Sequence, residues 1–268
     1  MGTVVKDLTY GDADGVALKL DVYYPKMASG ALPAVVYVHG GGWTQGDKAI
    51  GAGATEIPEM VSRGYLAVSI NYRLAPQHKF PAQIEDAKCA IRFLRANASL
   101  FGINPDRIGV WGGSAGGHLV ALLGTTDAGA GLEGSGGYPG QSSRVRAVVD
   151  MFGPADMPVF FRGSGGSVME QVFGTSDPNS PAAKSASPVT YISPDDPPFL
   201  ILHGDKDNVV PLVQSQILRK QLEVAGVPAT LVVVKNGRHG FTPTGGAISP
   251  SRAEITAMVA DFFDKYLK

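Results

Sequence analysis

One cysteine, Cys89, stands in 268 residues. No disulfide within the chain can therefore hold the fold together. Its setting, DAKCAIRFL, reads as a buried helix position where the thiol packs as a small hydrophobe. Long apolar runs are also lacking, and none reaches the roughly 20 residues that a membrane span needs. The opening MGTVVKDLTY has no basic region followed by an apolar segment, so no secretory leader is written there. Lys6 breaks the myristoylation pattern that Gly2 would begin. Read as it stands, the sequence points to the cytoplasm; a leader removed upstream would instead make the protein secreted. Charge of one sign is missing as well. Lys and Arg number 23 against 24 Asp and Glu, with a formal net charge of −1. That balance excludes the electrostatic footprint of a nucleic-acid or anionic-membrane partner.

What is present is a chain 44% hydrophobic, long enough for one sizeable core, with 35 glycines. We read it as a single α/β domain over 1–268. In VALKLDVYY, Val16, Leu18, Leu20 and Val22 alternate with Lys19, Asp21 and Tyr23, the pattern of a half-buried strand. AVVYVHG (34–40), YLAVSINY (65–72), IGVWGG, RAVVDMFG, PFLILHG and ATLVVVK are short β-rich apolar runs, as expected of strands buried on both faces. Helical spacing lies between them, at Ile84, Ala87, Ala90, Ile91 and Leu94, and at Ile217, Leu218 and Leu222. The last segment places Ile255, Met258, Val259, Phe262, Phe263, Tyr266 and Leu267 on one stripe, with Ser251 and Glu254 positioned to cap its start. This alternation predicts a mostly parallel sheet with helices on both faces. Two stretches break the rhythm. Residues 127–143 read as a Gly/Ser-rich surface loop. Residues 154–197, with one helix around SVMEQVF, read as a lid or substrate-binding insertion, or else as an ordinary surface excursion.

The chemistry centres on Gly112-Gly113-Ser114-Ala115-Gly116, a G-x-S-x-G pattern. The pattern alone is common, but here RIGVW supplies a strand before it and GHLVALLG a helix after it. The sharp turn needs small neighbours, a need that Gly112, Gly116 and Gly117 meet. It places Ser114 at a helix N-terminus, where the dipole favours developing negative charge. A serine nucleophile requires a base. Of the five histidines, His239 in NGRHGF lies beyond the last strand and after the acidic candidates, as the triad order for this kind of turn requires. His203 precedes those candidates, His118 reads as packing, and His78 sits in a loop. The acid lies in HGDKDNVVP, where Asp205 and Asp207 are alternatives. An oxyanion needs backbone donors, and VYVHGGGW offers them: Gly41 and Gly42, reaching Trp43, together with Ala115 after the serine. His39 reads as a brace for that loop. Trp43, Met157, Phe160 and Phe161 form an aromatic-rich cluster that reads either as an acyl or aryl pocket or as core.

With these pieces in this order, the chain resembles the α/β-hydrolase fold. Within it, the chain is similar to the hormone-sensitive-lipase-type esterases and, more closely, to capless bacterial acetyl and feruloyl esterases. The resemblance rests on HGGGW, NYRLAP, FPAQIEDAKCAIRFLRANA, GINPDRIGVWGGSAGGHLVALL, PPFLILHGDKDNVVP and GRHGF. It assigns the acid to the second aspartate, Asp207. It implies a serine carboxylesterase for short acyl or aryl esters, including acylated polysaccharide, that needs no metal or organic cofactor. Gly113 stands where lipase-type members carry aspartate, and only 38 residues precede His39, which leaves little room for a cap. Arg73 and Asp86, in NYRLAP and QIEDA, are expected to tie loops together as an ion pair. The alternatives are an arylformamidase- or peptidase-like hydrolase, or an inactive binding module of the same fold.

Overall fold

The computed structural model describes residues 2–27, 30–51, 53–163 and 166–268. Among them lie eight strands: β1 (Val4–Ala13), β2 (Val16–Tyr23), β3 (Leu32–Val38), β4 (Leu66–Ile70), β5 (Ile103–Gly113), β6 (Ala147–Met151), β7 (Phe199–Gly204) and β8 (Ala229–Val234). They form one sheet in the order β1-β2-β4-β3-β5-β6-β7-β8. The β1/β2 and β2/β4 pairs are antiparallel, and all the others are parallel. The helices are α1 (Ile57–Ser62), α2 (Ala82–Ala96), α3 (Ala98–Phe101), α4 (Ala115–Thr125), α5 (Met157–Gly163), α6 (Gly166–Phe173), α7 (Pro181–Ser185), α8 (Val213–Val224) and α9 (Arg252–Leu267). This is the α/β-hydrolase fold.

Why the central strands read as unbroken apolar runs is plain from their burial. Every residue of β3, β4, β6 and β7 is buried. Val36, Val110, Val148 and Ile201 face one hydrophobic layer, which also holds residues of α2, α4 and α8. Tyr37, Trp111, Val149 and Leu202 face the other, with residues of α1 and α9. The α9 stripe is narrower than the sequence suggested: Ile255, Val259, Phe263 and Leu267 are buried, but Met258 is exposed. Ser251 and Glu254 do form a capping box, with the Ser251 N–H donating to Glu254 Oε2 at 2.7 Å. Such a cap contributes roughly 1 kcal/mol.

Other elements differ from the sequence reading. β1 was not anticipated, because its alternation is broken by register shifts between Val5 and Leu8 and between Thr9 and Gly11. Asp21, expected on a polar face, is buried; it accepts from the Asp7 N–H at 2.9 Å and faces Lys48 Nζ at 3.3 Å. Residues 127–143 form the mostly exposed loop that was expected, and one glutamate ties it to α2. Its Glu133 pairs with buried Lys88 at 2.7 Å and Arg92 at 2.6 Å. Cys89 is buried as expected, and burial pushes its thiol up to about 11. The 154–197 segment folds into α5, α6 and α7. Their Phe160, Phe161, Met169 and Phe173 merge with the layer that contains α4.

β6 carries one polar residue inside the sheet. Asp150 is fully buried; its Oδ1 accepts from the Gly153 N–H at 2.9 Å and its Oδ2 has no partner. Burial pushes this carboxyl up to about 6. A carboxyl near 4 in the unfolded chain and near 6 in the fold costs stability as pH rises through that window. Asp150→Asn is therefore expected to gain about 2–3 kcal/mol relative to wild type between pH 4 and pH 7. Denaturant unfolding at the two pH values measures this, and a pH-independent difference would contradict it.

Candidate active site

Three loops at the carboxyl ends of parallel strands converge, as expected for a site on an open parallel sheet. They follow β3, β5 and β7, and the loop after β8 closes the group. Ser114 ends the turn from β5 into α4 with φ 58 and ψ −123. That is a sparsely populated conformation for a residue with a side chain, and it costs on the order of 1–3 kcal/mol. The turn is possible because the chains beside it are stripped to backbone. A Cβ on Gly116 would lie 2.1 Å from Val38 O. At Gly113 a Cβ would meet the Phe152 ring at 3.0 Å, and Phe152 in turn packs edge-on against His239 with centroids 4.8 Å apart. The bare residue that departs from the lipase-type pattern thus makes room for an aromatic ring beside the histidine.

Ser114, His239 and Asp207 are brought into one hydrogen-bonded series. Ser114 Oγ lies 2.9 Å from His239 Nε2, and His239 Nδ1 lies 2.7 Å from Asp207 Oδ2. The Asp207 side chain is fully buried, and its Oδ1 accepts from the Val209 and Val210 N–H groups at 2.8 and 2.9 Å. Burial opposes ionisation, but bonds from His203 and His239 outweigh it and hold the carboxyl well below the usual range. Because Asp207 is an anion, His239 carries its proton on Nδ1 and presents Nε2 as an acceptor to the serine. Asp205, the alternative acid, has no bond to His239; its N–H donates to Val234 O at 3.0 Å.

The loop after β3 runs through Gly41 (φ 117), Gly42 (φ 60) and Trp43 (φ 61). At Gly41 a Cβ would sit 2.0 Å from Gln45 O, so only glycine fits. Gly40 backs onto the Ser114 turn, its virtual Cβ 3.3 Å from Ser114 Cβ. The N–H groups of Gly41, Gly42 and Ala115 have no acceptor among the described residues. His39 braces this loop: Nδ1 lies 2.7 Å from Gly40 O, and its ring stacks on Tyr72 at 4.3 Å. Tyr72 Oη donates to His39 O at 2.9 Å. The Arg73–Asp86 pair stands next in the chain, with the guanidinium forked onto the carboxylate at 2.8–3.0 Å. It anchors the segment that holds Tyr72. His78 is partly exposed, 4.0 Å from Asp14.

Two cavities open on Ser114. The smaller, about 470 Å³, is walled by Trp43, Pro154, Phe160, Met169 and Val210. The larger, about 730 Å³, is walled by Gly41, Gln45, Ile50, Phe152 and His239. Gly42, Ser114, Val168 and Val209 belong to both. Trp43 and Phe160 are therefore at the site. Phe161 and Met157 do not line either cavity: Phe161 packs on Phe173, ring centroids 5.4 Å apart, and Met157 is fully buried. Sequence reasoning did not find Phe152, Ile50, Val168, Met169 or Val209. Each is an ordinary apolar residue whose place is set only by how loops distant in sequence meet. It also passed over His203, whose Nε2 lies 2.8 Å from Val210 O and 3.5 Å from Asp207 Oδ2.

Among the described residues no cluster of His, Cys, Asp or Glu is arranged to hold a metal ion. No helix among them is long and apolar enough to cross a membrane.

A serine on a strained strand-to-helix turn, in line with a histidine and a buried aspartate, defines the site type of the α/β-hydrolase class. Within that class the chain belongs to the BD-FAE family, whose model matches residues 20–222. It is similar to a truncated form of a carbohydrate esterase from gut microbiota, at 33% identity and TM-score 0.87, covering 98% of this chain and 96% of that one. A thermophilic esterase of the Planctomycetes species Thermogutta terrifontis, solved with propionate bound, superposes at TM-score 0.80 and 27% identity, over 97% and 93% of the two chains. The probable carboxylic ester hydrolase LipM of Mycobacterium tuberculosis is 32% identical over 272 residues, which is 96% of this chain and 60% of LipM. The chain spans about 60% of the length of the curated relatives it matches.

Proposed function

We propose that the protein is a serine carboxylic ester hydrolase acting on short acyl or aryl esters, including those on polysaccharide, through an acyl-enzyme. The observation that carries this reading is the series Ser114–His239–Asp207, at 2.9 and 2.7 Å, beside N–H groups that have no acceptor among the described residues. His239 Nε2 takes the Ser114 proton as Oγ attacks the ester carbonyl. The N–H groups of Gly41, Gly42 and Ala115 hold the oxyanion that forms. As the C–O bond breaks, His239 returns the proton to the departing alcohol. Water, activated by the same ring, then attacks the acyl carbon and frees Ser114.

His239 must reach the leaving oxygen, and it lines only the larger cavity. The alcohol therefore leaves through the larger cavity, and the acyl group occupies the smaller one. Trp43 and Phe160, both nearly buried, limit that space to short chains or a flat ring. The carbohydrate-esterase relative and the propionate-bound relative support this substrate class. Residues 154–197 supply Phe160 and Met169 and serve as the substrate-binding segment of a single domain.

A panel of nitrophenyl esters from acetate to octanoate, run beside methyl ferulate, acetylated xylan, formanilides and a peptide, tests the proposal. Acetate to butyrate is expected to exceed octanoate by at least about tenfold in kcat/KM, since methylenes that do not fit cost 1–3 kcal/mol. Octanoate preference would overturn the acyl assignment. Turnover of the amides alone would overturn the esterase reading.

A further inference from the structure

His118 has no part in that mechanism, yet it stands one turn behind the nucleophile. It is fully buried in α4, and its backbone N–H donates to Ser114 O at 3.0 Å. The Trp43 indole N–H lies 3.1 Å from His118 Nδ1. An indole nitrogen can only donate, so Nδ1 accepts and the ring proton sits on Nε2. That Nε2–H points at Ala186 O, 2.6 Å away. The neutral imidazole thus satisfies both of its nitrogens and joins three separate segments: the loop after β3, α4 and the chain just beyond α7.

Its effect reaches the smaller cavity through Trp43. Trp43 holds a left-handed backbone (φ 61), and its carbonyl accepts from the Ala75 N–H at 2.9 Å. The indole packs edge-on against His118 (5.3 Å) and Phe173 (5.2 Å). Phe173 belongs to α6, and Met169, one turn earlier on the same helix, lines the same cavity as Trp43. Trp43 and α6 are thereby locked to each other at a position that His118 fixes from behind. Filling the same space with an apolar side chain would keep the packing but leave the indole N–H and Ala186 O without partners.

We infer that His118 is a positioning residue that sets acyl selectivity, holding the Trp43 indole as the wall of the acyl cavity and tying that wall to the 154–197 segment. The inference rests on the proposed assignment of the smaller cavity to the acyl group. Three variants test it: His118→Leu, which removes both bonds; His118→Gln, whose amide can accept and donate as the ring does; and Trp43→Phe, which removes the indole donor. The first readout is the pair of indole N–H signals in the NMR spectrum. Trp111 bonds Gly53 O at 2.8 Å and serves as the internal reference. In His118→Leu the Trp43 signal is expected to move while that of Trp111 stays. The second readout is kcat/KM for a series of acyl groups on one alcohol, and for acetate on a series of alcohols. In His118→Leu and in Trp43→Phe the octanoate-to-acetate ratio is expected to rise about tenfold, the alcohol series staying within about twofold. His118→Gln is expected to keep the wild-type acyl ratio. A purely structural role would lower both series together and leave the ratios unchanged. An acyl ratio unchanged in His118→Leu, or in Trp43→Phe where the leucine variant does not fold, overturns the inference alone. A wild-type protein that turns over no ester overturns the esterase reading and the inference with it.

Discussion

Ser114→Ala is expected to lower ester turnover by about a millionfold while leaving the fold intact, since on the proposed mechanism loss of the nucleophile removes the whole covalent route. Residual activity would come only from the oxyanion donors and substrate binding. The alanine variant keeps the strained backbone, because a Cβ remains at φ 58. Ser114→Gly is equally inactive but relieves that strain. It should be the more stable of the two by about 1 kcal/mol, or roughly 2 °C in Tm for a chain of this size. Active-site labelling with a fluorophosphonate, thermal unfolding and ester kinetics together read the result. Turnover within a hundredfold of wild type in either variant would contradict the assignment of the nucleophile.

Asp207→Asn is expected to lower kcat by about ten-thousandfold near neutral pH with little change in KM. The amide would present N–H2 or a weaker acceptor to His239 Nδ1, so the ring loses its hold on the productive tautomer. Ser114 would then face a protonated Nε2 and have no base. Asp205→Asn is the matched control and should stay within a few-fold of wild type, because Asp205 makes no bond to His239. Equal losses in the two variants would sink the assignment. The depressed Asp207 carboxyl also adds to stability above about pH 4, and that contribution fades as pH falls further. The asparagine variant should therefore lose its stability deficit in acid.

The sequence by itself determined the parallel sheet, the two helix layers and the order of the chemistry. Apolar runs such as FLILHG are strands because burial on both faces leaves no place for polar alternation. Ser114 is legible because its glycines sit at fixed offsets between a strand and a helix. Its partners His239 and Asp207 are legible because short motifs mark the ends of other strands. Local pattern reaches no further than that. It could not separate Asp205 from Asp207, since two residues of chain decide which carboxylate turns toward a ring that lies 32 residues on. It missed β1, whose bulges destroy the period of two. It left Phe160 and Phe161 together as either pocket or core, whereas the pitch of α5 sends the first ring to the cavity and the second to Phe173. Tertiary structure alone decided which cavity His239 faces, and that His118, one turn behind Ser114, grips Trp43. Contacts of that kind join segments tens of residues apart through ordinary side chains, and no spacing along the chain records where those side chains meet.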